Sequence, residues 1–199
     1  MNPEDAGDLM DQERTRNQFK QRAAITIAIL AMLLAITSLG GANTGKEALN
    51  NNVLASNYFN FFQAKNIRQT SYELALAEID LAWAADPALP AEAKAALKQK
   101  ADAYRQTIAR YESEPSTNEG KKELLARAKV HEELRDHALK QDPYFDYAEA
   151  LLQIGIVLVS VSIVAEIVWL AFVGGALGVL GTALMINGYL LLVNVPGLA

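Results

Sequence analysis

The chain has 199 residues, 51% of them hydrophobic and 21% charged, with 18 basic and 23 acidic residues, a net charge of −5 and no cysteine. Those averages describe an ordinary soluble domain, but beyond residue 150 the only charged residue is Glu166, and none lies between residues 23 and 45. The distribution excludes a simple soluble globule. A pI near 5.1 without a basic patch argues against nucleic-acid binding, and a chain without cysteine has no disulfide, thiolate metal site or Cys nucleophile.

Residues 1–22 read as a cytoplasmic tail and residues 23–40 as the first transmembrane helix. Its core, residues 23–39, holds 17 apolar or hydroxyl residues, about 25 Å as a helix and at the short end for a span. Ile and Leu occur all around it, as lipid on every side requires. The rival reading is a cleavable signal peptide, with Gly40 and Ala42 as the small residues of the cleavage site. Against it, the apolar stretch is longer than usual and the 22 residues before it include five acids. Arg14, Arg16, Lys20 and Arg22 precede the span and only Lys46 follows closely, so the positive-inside rule puts the N-terminus in the cytoplasm.

Residues 41–146 then form a helical extracytoplasmic domain, rich in Ala, Leu, Glu, Lys and Gln. Thr44 with Glu47, and Ser116 with Glu119, have capping-box spacing. Pro90 and Pro143 suit first helical turns, with Asp142 as an N-cap for the latter. Breaks at 86–90 and 114–120 leave helices over 46–85, 90–112 and 117–140.

These helices carry heptad-like apolar faces: Tyr58, Phe62, Lys65, Gln69, Tyr72, Leu76, Ile79 and Trp83 in the first; Leu97, Ala101, Tyr104, Ile108 and Tyr111 in the second; Leu124, Ala128, His131, Leu134 and Ala138 in the third. Such coiled-coil-like seams can pair within the chain or between chains. The helices would be about 60, 35 and 35 Å long. A domain that starts and ends at one membrane surface therefore argues against an ideal three-helix bundle. Either the first helix breaks, with Asn50 to Asn52 the candidate place, or the middle one lies across the others.

Residues 148–195 are an apolar run of 48, long enough for two spans and a turn. The turn falls either at Glu166 and Trp169, since a mid-bilayer carboxylate costs about 2.5 kcal/mol or more, or at Gly174 and Gly175. The first choice gives spans over 147–165 and 169–192 and a C-terminal tail over 193–199. It places Gly174, Gly175, Gly178 and Gly181 inside the last span as a stripe suited to close helix packing. Glycine is common in membrane helices generally, so the stripe has a bland reading too.

Chemistry-bearing residues are sparse. Glu133 and His137 lie four apart, but His131 faces another side and no second carboxylate–histidine pair completes a metal site. Neither a phosphate loop nor a GxSxG nucleophile motif is present. No catalytic residue, cofactor or metal is therefore expected. Within the spans, Gln153, Ser160, Ser162, Thr182 and Asn187 are polar. Gln153 and Ser160 lie two turns apart and would line a pore in an oligomer; interhelical hydrogen bonding is the plainer role.

The stretches NNVLASNYFNFFQAKNIRQTSYEL from Asn51 and PYFDYAEALLQIGIVLVSVSIV from Pro143 resemble the paired signatures of an uncharacterised bacterial membrane-protein family known only as a domain of unknown function. Its members share the order of one N-terminal span, a helical insert opening on ASxxxxxxQAKxIxxxxYE, and two C-terminal spans. The likeness runs through Ala55, Ser56, Gln63, Ala64, Lys65, Ile67, Tyr72 and Glu73, then Asp146, Ala148, Glu149 and Ala150, within residues 23–192. It implies a contact network of Gln63, Lys65, Tyr72 and Glu73, and no activity. Relatives often carry basic residues in the last turn. Here Glu166 stands alone, so orientation rests on the N-terminal arginines.

The expectation is an all-α membrane protein of three transmembrane helices with a coiled-coil-like extracytoplasmic insert, embedded in the bacterial inner membrane. It would be a non-catalytic homo-oligomeric scaffold or accessory subunit of a larger membrane complex. Its oligomer or packing contacts would be Tyr58, Phe62, Lys65, Tyr72, Glu73, Gly174, Gly178 and Gly181. The alternatives are a small oligomeric channel or transport-related pore lined by Gln153 and Ser160, and a metal-binding protein or enzyme built on Glu133 and His137.

Overall fold

A computed structural model describes residues 3–86 and 88–197. Residues 1–2 and 198–199 of the two predicted tails, and Pro87 in the predicted break at 86–90, lie outside the described residues. Among the described residues there are four helices and no strand: α1 Pro3–Ala85, α2 Ala91–Glu112, α3 Lys121–Ala165 and α4 Val168–Leu190. Three of them, α1, α3 and α4, are long and apolar enough to cross a membrane. The chain divides into two compact units, one made of residues up to Ala48 together with those from Asp136 onward, the other of Leu49–Arg135.

The first unit is a three-helix bundle. Its core stacks Ala23 and Leu30 of α1 on Leu152 and Val159 of α3, with Phe145, Ala148 and Met185 forming a second layer. Neighbours run in opposite directions along α3: Leu30 lies by Gly155 and Gly178, Gly40 by Phe145, and Gly181 by Ala148. The outside is as apolar as the inside. Met32 is 59% exposed, Val164 87% and Phe172 75%, an arrangement stable only where lipid or protein takes the place of water. The α3–α4 turn falls at Glu166 and Ile167. Glu166 adopts a left-handed φ of 57°, which costs a non-glycine residue about 1–2 kcal/mol. Its carboxylate lies 3.4 Å from Lys20 and 3.8 Å from Arg16, so the N-terminal cations and this turn share one end of the bundle. At the other end, the Asn187 side-chain amide clasps the Val193 backbone, its Nδ2 donating to Val193 O at 2.8 Å and its Oδ1 accepting from Val193 N at 2.9 Å. Tyr144 accepts from Val195 N and donates to Val193 O.

In the second unit α2 and α3 lie one after the other along the same face of α1, both antiparallel to it. Tyr72 meets Tyr104 and Tyr111 of α2 at 5.2 and 5.9 Å. Further back along α1, Phe62 meets Lys121 and Tyr58 meets His131 of α3. The lengths agree: 37 residues of α1 in this unit rise about 55 Å, answered in series by the 22 of α2 and 15 of α3, about 33 and 22 Å. The predicted seams thus pair within the chain. Ala55, Gln69, Ile79, Ala101, Leu124 and Ala128 are buried along the contact, while Trp83 and Leu134 at its weaker points stay exposed.

Several predicted boundaries are corrected. There is no break at Asn50 to Asn52 and no capping box at Thr44, because α1 runs through both. Thr44 is buried in mid-helix and donates to Gly40 O at 2.7 Å, while Gly40 and Gly41 make room for Phe145. Pro143 lies inside α3 instead of opening a helix. The lost backbone bond is tolerated because Tyr144 and Phe145, each 2% exposed, are locked into the core. The third helix of the insert begins at Lys121 rather than 117. Residues 114–118 form a turn with Asn118 at φ 58°, so Ser116 is not its N-cap. Glu123 in the first turn of α3 instead ties the two helices together, accepting from Ser113 Oγ at 2.6 Å and Glu114 N at 3.1 Å at the end of α2.

Candidate functional site

The densest polar cluster in the second unit lies where α2 hands over to α3, opposite Lys65. The Lys65 side chain is 13% exposed and reaches Glu114 at 3.9 Å and Glu119 at 3.6 Å, with its ammonium 5.5 Å from the Tyr111 ring centre. One turn along α1, Gln69 donates to Glu112 at 3.4 Å, and Lys121 of α3 approaches the same carboxylate at 3.3 Å. The hydrogen bonds from Lys121 and Gln69 hold the Glu112 carboxyl below its ordinary value. The Ser113 hydroxyl does the same for Glu123. Gly120 closes the turn: a Cβ there would collide with the Glu114 and Glu123 atoms and lie 2.6 Å from Ser113 Cα. Cations from α1 and α3 therefore meet carboxylates from α2 and the turn, so the cluster fastens both return helices to α1. One group is left over, the buried Oε1 of Gln69, which has no hydrogen-bond partner.

Nearer the start of the unit, buried Asn51 and His131 lie 2.8 Å apart through Oδ1 and Nδ1. His131 also stacks on Tyr58 with ring centres 5.5 Å apart. The predicted quartet Gln63, Lys65, Tyr72 and Glu73 is split: Lys65 and Tyr72 enter the seam, while Gln63 and Glu73 face outward. Seven residues are a whole two turns to within about 20°, whereas eight overshoot by about 80°. Tyr58 and Phe62 are in the seam. Composition alone did not single out Glu112, Glu123 and Gly120; the helix-breaking cluster at 114–120 was their one signal.

In the first unit the glycine stripe faces the chain's own helices. Gly174 packs on Gly155 and Val159, Gly178 on Leu30, and Gly181 on Ala148 and Leu152, whereas Gly175 has open space around it. Gly155, which belongs to no sequence stripe, is the backbone on which Gly174 rests. The polar residues do not bond across helices as expected. Ser160, Ser162 and Thr182 donate to carbonyls of their own helices at 2.6–2.7 Å. Gln153 is exposed on the bundle exterior and donates to Glu149 at 3.0 Å. Glu133 and His137 are exposed, and no group of three or more His, Asp or Glu is placed to hold a metal among the described residues.

A family model described as a domain of unknown function (DUF4337) matches residues 19–191. No curated protein and no solved structure matches the chain.

Proposed function

The chain belongs to the DUF4337 family, and from that premise we propose that it is a non-catalytic integral protein of the bacterial inner membrane, acting as a homo-oligomeric scaffold or as an accessory subunit of a membrane complex. In this reading the first unit is the membrane anchor, entered from the cytoplasm by way of Arg14, Arg16, Lys20 and Arg22. The second unit stands on the extracytoplasmic side as an antiparallel coiled coil.

One observation carries the reading. Ile67, Leu74 and Leu81 recur every seven residues on α1, outside the seam, and are 67%, 63% and 73% exposed. The seam is already filled from within the chain, so this second heptad stripe is available for another helix. Gln153 supports it, because an amide on the outside of a lipid-embedded bundle is better placed against a neighbouring helix than against acyl chains. The same Gln153 favours the channel reading, in which α3 helices of several copies surround a path. That reading requires ion flux in liposomes that changes with Gln153→Leu.

The chain has no cysteine, so Leu74→Cys introduces a single thiol. Bis-maleimide treatment of native membranes should cross-link it to a second copy or to one discrete partner. Glu73→Cys, off the stripe, should react far less. Monomers alone at both positions would overturn the proposal.

A further inference from the structure

Resting on the membrane reading above, we infer that the first unit holds an anionic phospholipid in a groove between α1 and α4. The groove has a volume of about 800 Å³, within the roughly 300–1,000 Å³ of ordinary ligand sites. Its walls are apolar, with Ile29 and Leu33 on one side and Phe172 and Val179 on the other. It exists because α4 presents Gly175 here, where a Cβ would meet nothing within 4 Å. The chain leaves this space unfilled on a surface that faces acyl chains.

The mouth supplies the choice of headgroup. Gln18 and Arg22 lie at the end of the groove that adjoins the α3–α4 turn. There Arg16 and Lys20 are occupied by Glu166, while Arg22 has no carboxylate within ion-pair distance among the described residues. A guanidinium beside an amide donor at the rim of an apolar cleft suits a lipid phosphate with a negatively charged headgroup. The depth fits as well. From Arg22 to Leu33 α1 rises about 16 Å, close to one leaflet of a hydrocarbon core about 30 Å thick. The phosphate would sit at Arg22 while one acyl chain runs along Gly175.

The test uses the full chain, purified in mild detergent from the membrane fraction, delipidated, and titrated with phosphatidylglycerol or phosphatidylcholine under native mass spectrometry. Phosphatidylglycerol adducts should exceed phosphatidylcholine adducts about fivefold, the worth of one basic residue against an anionic headgroup. Arg22→Gln should bring the two lipids level. Gly175→Leu should reduce both by filling the groove, and because its Cβ meets open space, an unchanged melting temperature would show that the fold is kept. Equal binding of the two lipids by the wild-type chain would overturn the inference. So would undiminished binding by Gly175→Leu, or cross-linking of the groove to a second copy. Recovery of the chain outside the membrane fraction would instead refute the membrane reading on which the lipid site rests.

Discussion

Gly174 and Gly175 are adjacent on α4 and differ in what an added methyl group meets, which makes them a matched pair. A Cβ on Gly174 would lie 2.7 Å from Gly155 O, 2.8 Å from Val159 Cγ2 and 3.1 Å from Val159 N. Two of those atoms are α3 backbone and cannot turn aside, so α3 and α4 must separate by several tenths of an ångström. Overpacking of this kind costs about 1–3 kcal/mol. A Cβ on Gly175 meets nothing within 4 Å. Both substitutions to alanine gain the same helix propensity, about 1 kcal/mol, so the difference between them isolates the close approach. Gly175→Ala should be neutral or stabilising, and Gly174→Ala should fall below it by about 1–3 kcal/mol. Reversible unfolding of the purified protein in mixed micelles, followed by circular dichroism against detergent composition, reads that difference. Equal stabilities would refute the packing of α4 on α3. Greater sensitivity at Gly175 would mean that α4 is rotated by about 100°.

In the second unit, Gly120→Ala should lower the melting temperature of the full chain by forcing apart the turn that seats Glu123, a loss of about 1–3 kcal/mol; an unchanged melt would remove the junction from the account. Asn51→Leu should cost about 1–2 kcal/mol by stripping half-buried His131 of its partner, whereas Asn51→Leu with His131→Leu should recover much of it. Additive losses in that double variant would show that the two side chains do not depend on each other. Glu112 has its folded pKa below the ordinary 4.5, so its bonds to Lys121 and Gln69 contribute stability above that pH and lose it as pH falls through the folded value. The melting temperature should therefore drop as pH falls below 4.5 through the lowered folded value, and less steeply in Glu112→Gln. Some slope should remain, because Glu123 is shifted in the same direction; identical profiles would exclude a role for Glu112.

The helices long and apolar enough to cross a membrane were legible because a bilayer imposes a crude requirement, about 20 residues without charge, and the chain meets it around residue 30 and again on either side of Glu166. The turn at Glu166 was legible for the same reason, since a lone carboxylate in an apolar run has few places to go. Seam faces could be read from their spacing, but not their partners: Tyr104 and His131 have the same heptad signature, and only the lengths show that they meet α1 one after the other. Local breakers misled where packing overrode them. Gly40, Thr44 and Asn51 look like the end of one helix and the start of another, yet each is taken up by a contact with α3 or by the helix itself. Pro143 is similar, a helix opener by habit that Tyr144 and Phe145 hold in mid-helix. Gly155 had no periodic signal, because its reason is Gly174, on the far side of the turn. Reflecting the α4 stripe across Glu166 brings Gly155 to within one turn of Gly178, and that symmetry was the available clue.

Assembly is the centre of the account, and it is measured most directly by isolating the protein from native membranes under mild detergent and determining the mass of the particle together with the proteins that accompany it. A scaffold or accessory subunit should emerge as a defined multiple of the 21.6 kDa chain or with a stoichiometric partner, and Leu74→Asp should disperse it while leaving it in the membrane. A particle containing one copy and no partner, unchanged by Leu74→Asp, would contradict it.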